Sequence, residues 1–235
     1  IWCCFDSMDD ACTYLQRIAR SSLRPAAAEF LEKACVDAVE KVHQKTYSFN
    51  KGKAVVLCRF DAQSSVELND MLKIAKDEIS HFKNTSVFTG DEEAYWFVRR
   101  ATSQSLEQVY GHKTSEDVTV PPAEIATYLA AIKTLDPSGE ITFVGYGHLG
   151  DGNIHTNILM SNSNPRRWKK IKQEWVQKVL ELCISMGGTL TGEHGIGITK
   201  KAYMRMYFSD SELAMMKQIK AVFDPNHILN PSKIL

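Results

Sequence analysis

"GYGHLGDGNIHTNIL", residues 145–159, reads as two short strands joined by a tight turn. Asp-Gly between short apolar runs is a strong hairpin signal, because a two-residue type I′ turn needs positive φ at both central positions. With Asp151-Gly152 as that turn, Gly150 opposes Asn153, Leu149 opposes Ile154 and His148 opposes His155. Opposed residues share a face of the sheet, with Cβ atoms about 5 Å apart. Strand alternation adds Tyr146 and Asn157 to the same face. One turn therefore gathers two imidazoles, an amide and a phenol, and two neutral imidazoles so close are natural metal ligands. The alternative is a pair of surface histidines flanking an ordinary hairpin, and the hairpin alone does not separate the two.

Outward from the hairpin, the chain has 235 residues, enough for one generous domain or two small ones. Its residues are 44% apolar and 24% charged with a formal net charge of zero, the composition of a soluble globular protein. A balanced charge argues against nucleic acid as a partner, since binding the phosphate backbone calls for excess Lys and Arg. The densest basic run, Arg166 to Lys172, opens a helix and reads as a solvated face. Six cysteines without C-x-x-C spacing, most of them inside apolar runs, read as buried thiols of a reducing compartment. No apolar stretch approaches the ~20 residues of a membrane span. "IWCCFDS" opens the chain as a strand already under way, and predicts that a segment upstream was removed or never built.

"IWCCF" has strand composition, and "SMDDACTYLQRIARS" shows helical spacing after a Ser7 cap. Pro25 falls at a helix start, and "AAAEFLEKACVDAVEKVH" carries apolar residues at helical steps. "KAVVLCRF" is a buried strand by its β-branched content. A helix through residues 64–82, a short strand near 86–89 and a helix through 91–110 follow. "EDVTVP" is a strand closed by Pro121-Pro122, ahead of a helix over 123–134. Beyond the hairpin, Trp168, Ile171, Trp175, Val179, Leu182 and Met186 form one helical stripe that Gly187-Gly188 ends. The last helix, from "DSELAMM", breaks at Asp224-Pro225. Hairpins among these elements predict an α+β fold, a mostly antiparallel sheet with helices packed on one side.

A second cluster, "GGTLTGEHGIG" at residues 187–197, holds five glycines in eleven positions around Glu193-His194. Such density makes poor helix and poor strand, and suits backbone that turns sharply or approaches a ligand closely. One outcome is a flexible loop whose Glu and His face water. The other is a carboxylate and an imidazole held at a site floor. Two histidines plus a carboxylate is a ligand set of zinc and non-haem iron sites. His148, His155 and Glu193 supply it, leaving His194 as a free acid or base, since adjacent side chains on an extended loop point apart. His43, His81, His112 and His227 have no partner pattern.

"HLGDGNIH", "TGEHGIG" and "FDPNHILNPSKI", in this order, closely resemble the C-terminal domain of the FAD-linked oxidases, with "FDSMDDA", "AAEFLE" and "YWFVRRA" also in place. That group contains D-lactate dehydrogenase, the FAD subunit of glycolate oxidase and D-2-hydroxyglutarate dehydrogenase. The resemblance covers residues 1–235 and implies a ferredoxin-like cap over a flavin held by an N-terminal domain. It implies a divalent metal, zinc before manganese or iron, on His148, His155 and Glu193, with His194 as the base that removes the substrate hydroxyl proton. It further implies substrate contacts from Asn157 and Arg99, with Lys113 as a weaker match because its register is off, and a flavin contact from Asn230. "TGEHGIG" favours the D-lactate and glycolate branches.

Two departures stand out: Ser232 replaces a usual glycine, and no G-x-G-x-x-G phosphate loop occurs, so FAD would be bound mainly outside these residues. The expected partners are a small 2-hydroxy acid and a redox acceptor such as a quinone, cytochrome c or electron-transfer flavoprotein, with homo-oligomers allowed. The expected location is mitochondrial in a eukaryote, and cytoplasmic or on the inner-membrane face in a bacterium. A non-enzymatic, actin-interacting module derived from such a cap is the alternative reading, and a metallohydrolase using the same ligand set is a third.

Overall fold

A computed structural model describes residues 1–161 and 164–235. Seven strands form one sheet: β1 (Trp2–Phe5), β2 (Ala27–Glu32), β3 (Ala54–Arg59), β4 (Ser86–Phe88), β5 (His112–Thr119), β6 (Thr142–His148) and β7 (Asn153–Met160). Their order is β4-β1-β3-β2-β6-β7-β5 and every pairing is antiparallel. The helices are α1 (Met8–Arg20), α2 (Lys33–His43), α3 (Ser65–Ile79), α4 (Glu92–Tyr110), α5 (Ile125–Ile132), α6 (Pro165–Ser185), α7 (Met204–Tyr207) and α8 (Asp210–Phe223). Side-chain caps open the main ones: Ser7 accepts from Asp10 N–H, Asp91 from Ala94 N–H, and Ser209 closes a capping box with Glu212. None of the helices described is long and apolar enough to cross a membrane.

The sheet is the expected antiparallel α+β one, but its helices cover both faces rather than one. Cys3, Phe5, Phe30, Val56, Phe143, Ile154 and Ile158 meet α1, α3, α5 and α6 in one core. Trp2, Cys4, Leu31, Val55, Leu57, Val144, Tyr146 and Leu159 meet α2 and α4 in the other. Alternate residues of each central strand are apolar on either side, so both faces need cover.

Three local expectations change. The helix expected from Pro25 divides, with Ala27–Glu32 forming β2 and only Lys33–His43 remaining helical. Its Ala, Glu and Leu favour helix locally. The segment nevertheless lies between β3 and β6, and two hydrogen-bonded ladders with burial on both faces outweigh that preference. The "EDVTVP" strand starts earlier, at His112, so Lys113 lies inside β5.

The hairpin also differs from the two-residue turn. β6 and β7 are joined by the four residues Leu149–Gly152, and His148 opposes Asn153 while Tyr146 opposes His155. Asp151 is not among the residues with positive φ, so the type I′ turn does not form. Two anchors explain the longer loop. Leu149 is buried and its N–H donates to Ala28 O at 2.9 Å, and Asn153 N–H donates to Asp151 Oδ1 at 3.0 Å.

Candidate metal and substrate site

Register alone sets two rows of side chains across the α2–α4 face. Glu29, His148, Asn153 and Thr119 oppose one another along β2, β6, β7 and β5. The next row is Leu31, Tyr146, His155 and Asp117. Opposed residues share a face, so His148 and His155 remain neighbours although they are not directly opposite. Their rings lie 5.7 Å apart at 78°.

The glycine-rich segment reaches this face past the edge strand β5, where Thr189 pairs with Thr119. It is folded onto one side chain. The buried Asp117 carboxylate accepts from Thr191 Oγ1 (2.7 Å), from the N–H groups of Gly192 (3.0 Å), Glu193 (3.0 Å) and His194 (2.8 Å), and from Asn153 Nδ2 (2.6 Å). Burial alone would raise its pKa, but these donors outweigh burial and hold the carboxyl well below the usual range. The crossing is close: a Cβ on Gly192 would stand 1.8 Å from Asn153 Nδ2, so only glycine fits there. Lys200 Nζ braces the turn from behind, donating to Asp117 O and Leu190 O at 2.6 Å each.

Three imidazoles converge on one oxygen as a result. Glu193 Oε1 lies 3.5 Å from His148 Nε2, 3.4 Å from His155 Nε2 and 3.6 Å from His194 Nε2. The expectation that Glu193 and His194 point apart fails, because three consecutive N–H groups pinned to Asp117 curl the loop instead of extending it. His194 is exposed and its ring stacks on His155 at 5.4 Å and 19°. Its Nδ1 faces Asp117 Oδ2 at 4.0 Å.

Separations of 3.4–3.6 Å are long for N–H···O hydrogen bonds. They match the spacing, about 3.4 Å, between donors placed tetrahedrally about 2.1 Å from one cation. Burial, then the charge of Arg99, lowers the His155 pKa to about 4 and keeps that ring neutral. His148 carries its own carboxylate partner, with Nδ1 2.7 Å from Glu29 Oε1, and that contact raises its pKa. A carboxylate on the far nitrogen is the usual support of a metal-binding histidine. Ligand atoms of Asp117, His155, Glu193 and His194 also lie within 4.8 Å of one another. Asp117 is the poorest donor of these, since hydrogen bonds from five residues already occupy its oxygens. The group Asp117, His155, Glu193 and His194 thus has the donor types and spacing of a divalent-metal site, and His148 stands beside it with Nε2 3.5 Å from Glu193 Oε1.

The substrate candidates lie on the same face. Arg99, on α4, donates from Nε to Glu29 Oε2 at 2.7 Å and stacks over Tyr146 at 4.7 Å. Lys113 Nζ donates to Ser103 Oγ at 2.6 Å, one helical turn beyond Arg99, and burial lowers its pKa. Asn157 is fully buried; its Nδ2 serves Val144 O and His155 O while Oδ1 has no partner among the described residues. Asn230 does not join this group. It lies on the exposed tail in the left-handed region at φ 45°, as does Ser232 at φ 65°. His43 packs on Phe97 and His112 on Trp168, outside the cluster. Sequence reasoning missed Glu29, Asp117, Asn153 and Lys200. The acids of "AAEFLE" and "EDVTVP" were the available signal, visible only once both segments are placed as strands facing the histidines.

The model of the FAD linked oxidases, C-terminal domain, matches residues 1–234. A D-lactate dehydrogenase of Archaeoglobus fulgidus is 33% identical over 231 residues, covering 98% of this chain and 50% of that protein. A glycolate oxidase subunit GlcD of Bacillus subtilis is 31% identical over 233 residues, covering 98% of this chain and 49% of that one. The chain therefore spans about half the length of these relatives. Among solved structures, p-cresol methylhydroxylase superposes with a TM-score of 0.72 at 15% identity, over 99% of this chain and 52% of that one, a likeness of fold. By its match from end to end, this chain belongs to the FAD linked oxidases, in the family of their C-terminal domain.

Proposed function

We propose that the chain is the substrate- and metal-binding cap of a flavin-dependent dehydrogenase that oxidises a D-2-hydroxy acid, D-lactate or glycolate in the first instance, to the 2-oxo acid. The observation that carries this reading is the convergence of His148, His155 and His194 on Glu193 Oε1 at 3.4–3.6 Å. His148, His155 and Glu193 would hold a divalent cation, zinc before manganese or iron. When bound, the cation supplies polarisation of the substrate hydroxyl and FAD supplies the hydride acceptor.

The chain's own residues do the rest. Arg99 has committed Nε to Glu29, which leaves its terminal nitrogens for the substrate carboxylate. A planar two-point grip there fixes which hydrogen on the carbinol carbon faces the flavin. His194, exposed beside Glu193, would take the hydroxyl proton. Asn157 would supply Oδ1, buried and unpartnered among the described residues, as an acceptor, and Lys113 an additional cation. Asn230, remote from the histidines in sequence and on the exposed tail, would meet the flavin side. The exposed apolar residues of α8 and the tail, Ile219, Val222, Phe223 and Ile228, form the surface that a flavin-holding half would cover.

Metal analysis of the purified chain tests the first part: about one zinc or manganese per chain is expected, abolished by His148→Ala with His155→Ala. Unchanged metal content in that double variant defeats the assignment. Dye reduction by the flavin-containing protein on D-lactate, glycolate and D-2-hydroxyglutarate tests the second. His194→Ala is expected to lower kcat at least 100-fold while leaving metal content intact.

A further inference from the structure

We propose that Glu29 is a positioning residue that couples the substrate clamp to the metal-binding histidine pair. This inference rests on the metal-site reading above and assigns a role to a residue outside the ligand set.

Glu29 stands at the middle of β2, 5% exposed, directly across the ladder from His148. Its two oxygens are divided. Oε2 accepts from Arg99 Nε at 2.7 Å, and Oε1 lies 2.7 Å from His148 Nδ1. A buried carboxylate needs partners, and one arginine would serve for stability alone. The second contact has a chemical consequence. A carboxylate can only accept, so His148 must carry its proton on Nδ1, and the neutral ring then presents a lone pair at Nε2. That nitrogen is the one aimed at Glu193 Oε1, 3.5 Å away. When His148 is neutral, that lone pair and the Glu193 carboxylate face each other across a gap that a cation fills.

The same carboxylate sets the guanidinium. With Nε held by Glu29 and the plane resting on Tyr146 at 4.7 Å, Arg99 has little freedom left in its last torsions. Glu29 therefore fixes at once which nitrogen of His148 is free and where the carboxylate grip lies. Loosening it would disturb both, though Glu29 touches neither metal nor substrate.

Glu29→Gln is close to isosteric and can donate where Glu29 accepts, so it permits the other His148 tautomer. Two measurements on the chain decide the matter. Nitrogen-15 imidazole NMR at pH 8.5 without metal is expected to show His148 as the Nδ1–H tautomer in the wild type, and as mixed or Nε2–H in Glu29→Gln. Zinc competition against a chelator is expected to show a 10- to 100-fold weaker affinity in the variant. A wild-type His148 that is mainly Nε2–H overturns the proposal, and that observation needs no variant to fold. Equal zinc affinity in wild type and a folded Glu29→Gln also overturns it, while leaving the metal reading standing. No zinc binding by a wild-type chain whose His148 is Nδ1–H sinks the metal reading and supports Glu29 as the group that fixes the tautomer.

Discussion

Asp117 accepts hydrogen bonds from five residues, three of them through consecutive N–H groups of the loop that carries Glu193 and His194. Replacing it by Asn keeps the shape but removes the charge and turns an amide toward those donors. Hydrogen bonds to a charged group contribute about 1.5–3 kcal/mol each, and buried polar groups left unpaired cost similar amounts. Asp117→Asn is therefore expected to lower unfolding free energy by about 2–4 kcal/mol in urea titration, and to erase amide protection at Gly192, Glu193 and His194. A change below about 0.5 kcal/mol would mean that Lys200 alone holds the turn. Asp117 and Glu29 also mark the limit of what sequence reveals at this scale. Histidines in a glycine-rich setting advertise themselves by residue type. An acid in a strand reads as solvent-facing, because Asp and Glu are rarely buried without a partner, and the partners here come from 36 or more residues away.

Between elements, a mistaken turn still gave the correct face. The two-residue and four-residue hairpins differ by two positions in register, one full repeat of the pleat, so Tyr146, His148, His155 and Asn157 stay on one side in either. A slip of one would have scattered them. Loop length was illegible because it depends on β2, whose Ala28 O takes the Leu149 N–H, and β2 itself was concealed by helix-favouring residues. The two inner glycines of β6 test the observed register. A Cβ on Gly147 would stand 2.2 Å from the backbone oxygen of Asn153, its diagonal neighbour, whereas on Gly145 it would meet the Leu129 Cδ2 side-chain atom at 2.4 Å. Backbone cannot yield as a leucine rotamer can. Gly147→Ala is thus expected to destabilise by more than about 3 kcal/mol and Gly145→Ala by about 1–2 kcal/mol. Equal losses in equilibrium denaturation would point to a different pairing of β6 with β7.

At the scale of the whole molecule, six free cysteines report on both cores, as the sequence pattern of thiols in apolar runs suggested. Cys3, Cys12, Cys58 and Cys183 lie in the core under α1, α3, α5 and α6, and Cys4 and Cys35 in the one under α2 and α4. Burial pushes the thiols up, to about 11 for Cys4 and Cys183 and about 12 for Cys12 and Cys58. An unfolded thiol ionises near 8.5. Between that value and 11–12 the native state keeps protons that the unfolded chain releases, so stability is full below about pH 8.5 and falls as pH rises through this window. Thiolate is the reactive form, which makes native labelling at pH 8 slow and dependent on opening. If the two layers open together, all six cysteines should react with a disulfide reagent in one phase, at a rate matching global unfolding. Because β1 places Cys3 in one core and Cys4 in the other, separate opening of the α2–α4 layer would expose Cys4 while Cys3 stayed protected. Mass spectrometry of partly labelled chains distinguishes the outcomes. Early modification of Cys4 and Cys35 alone would show that the layer carrying Arg99 moves independently of the sheet, and a clamp on such a layer could not hold the fixed grip proposed for it.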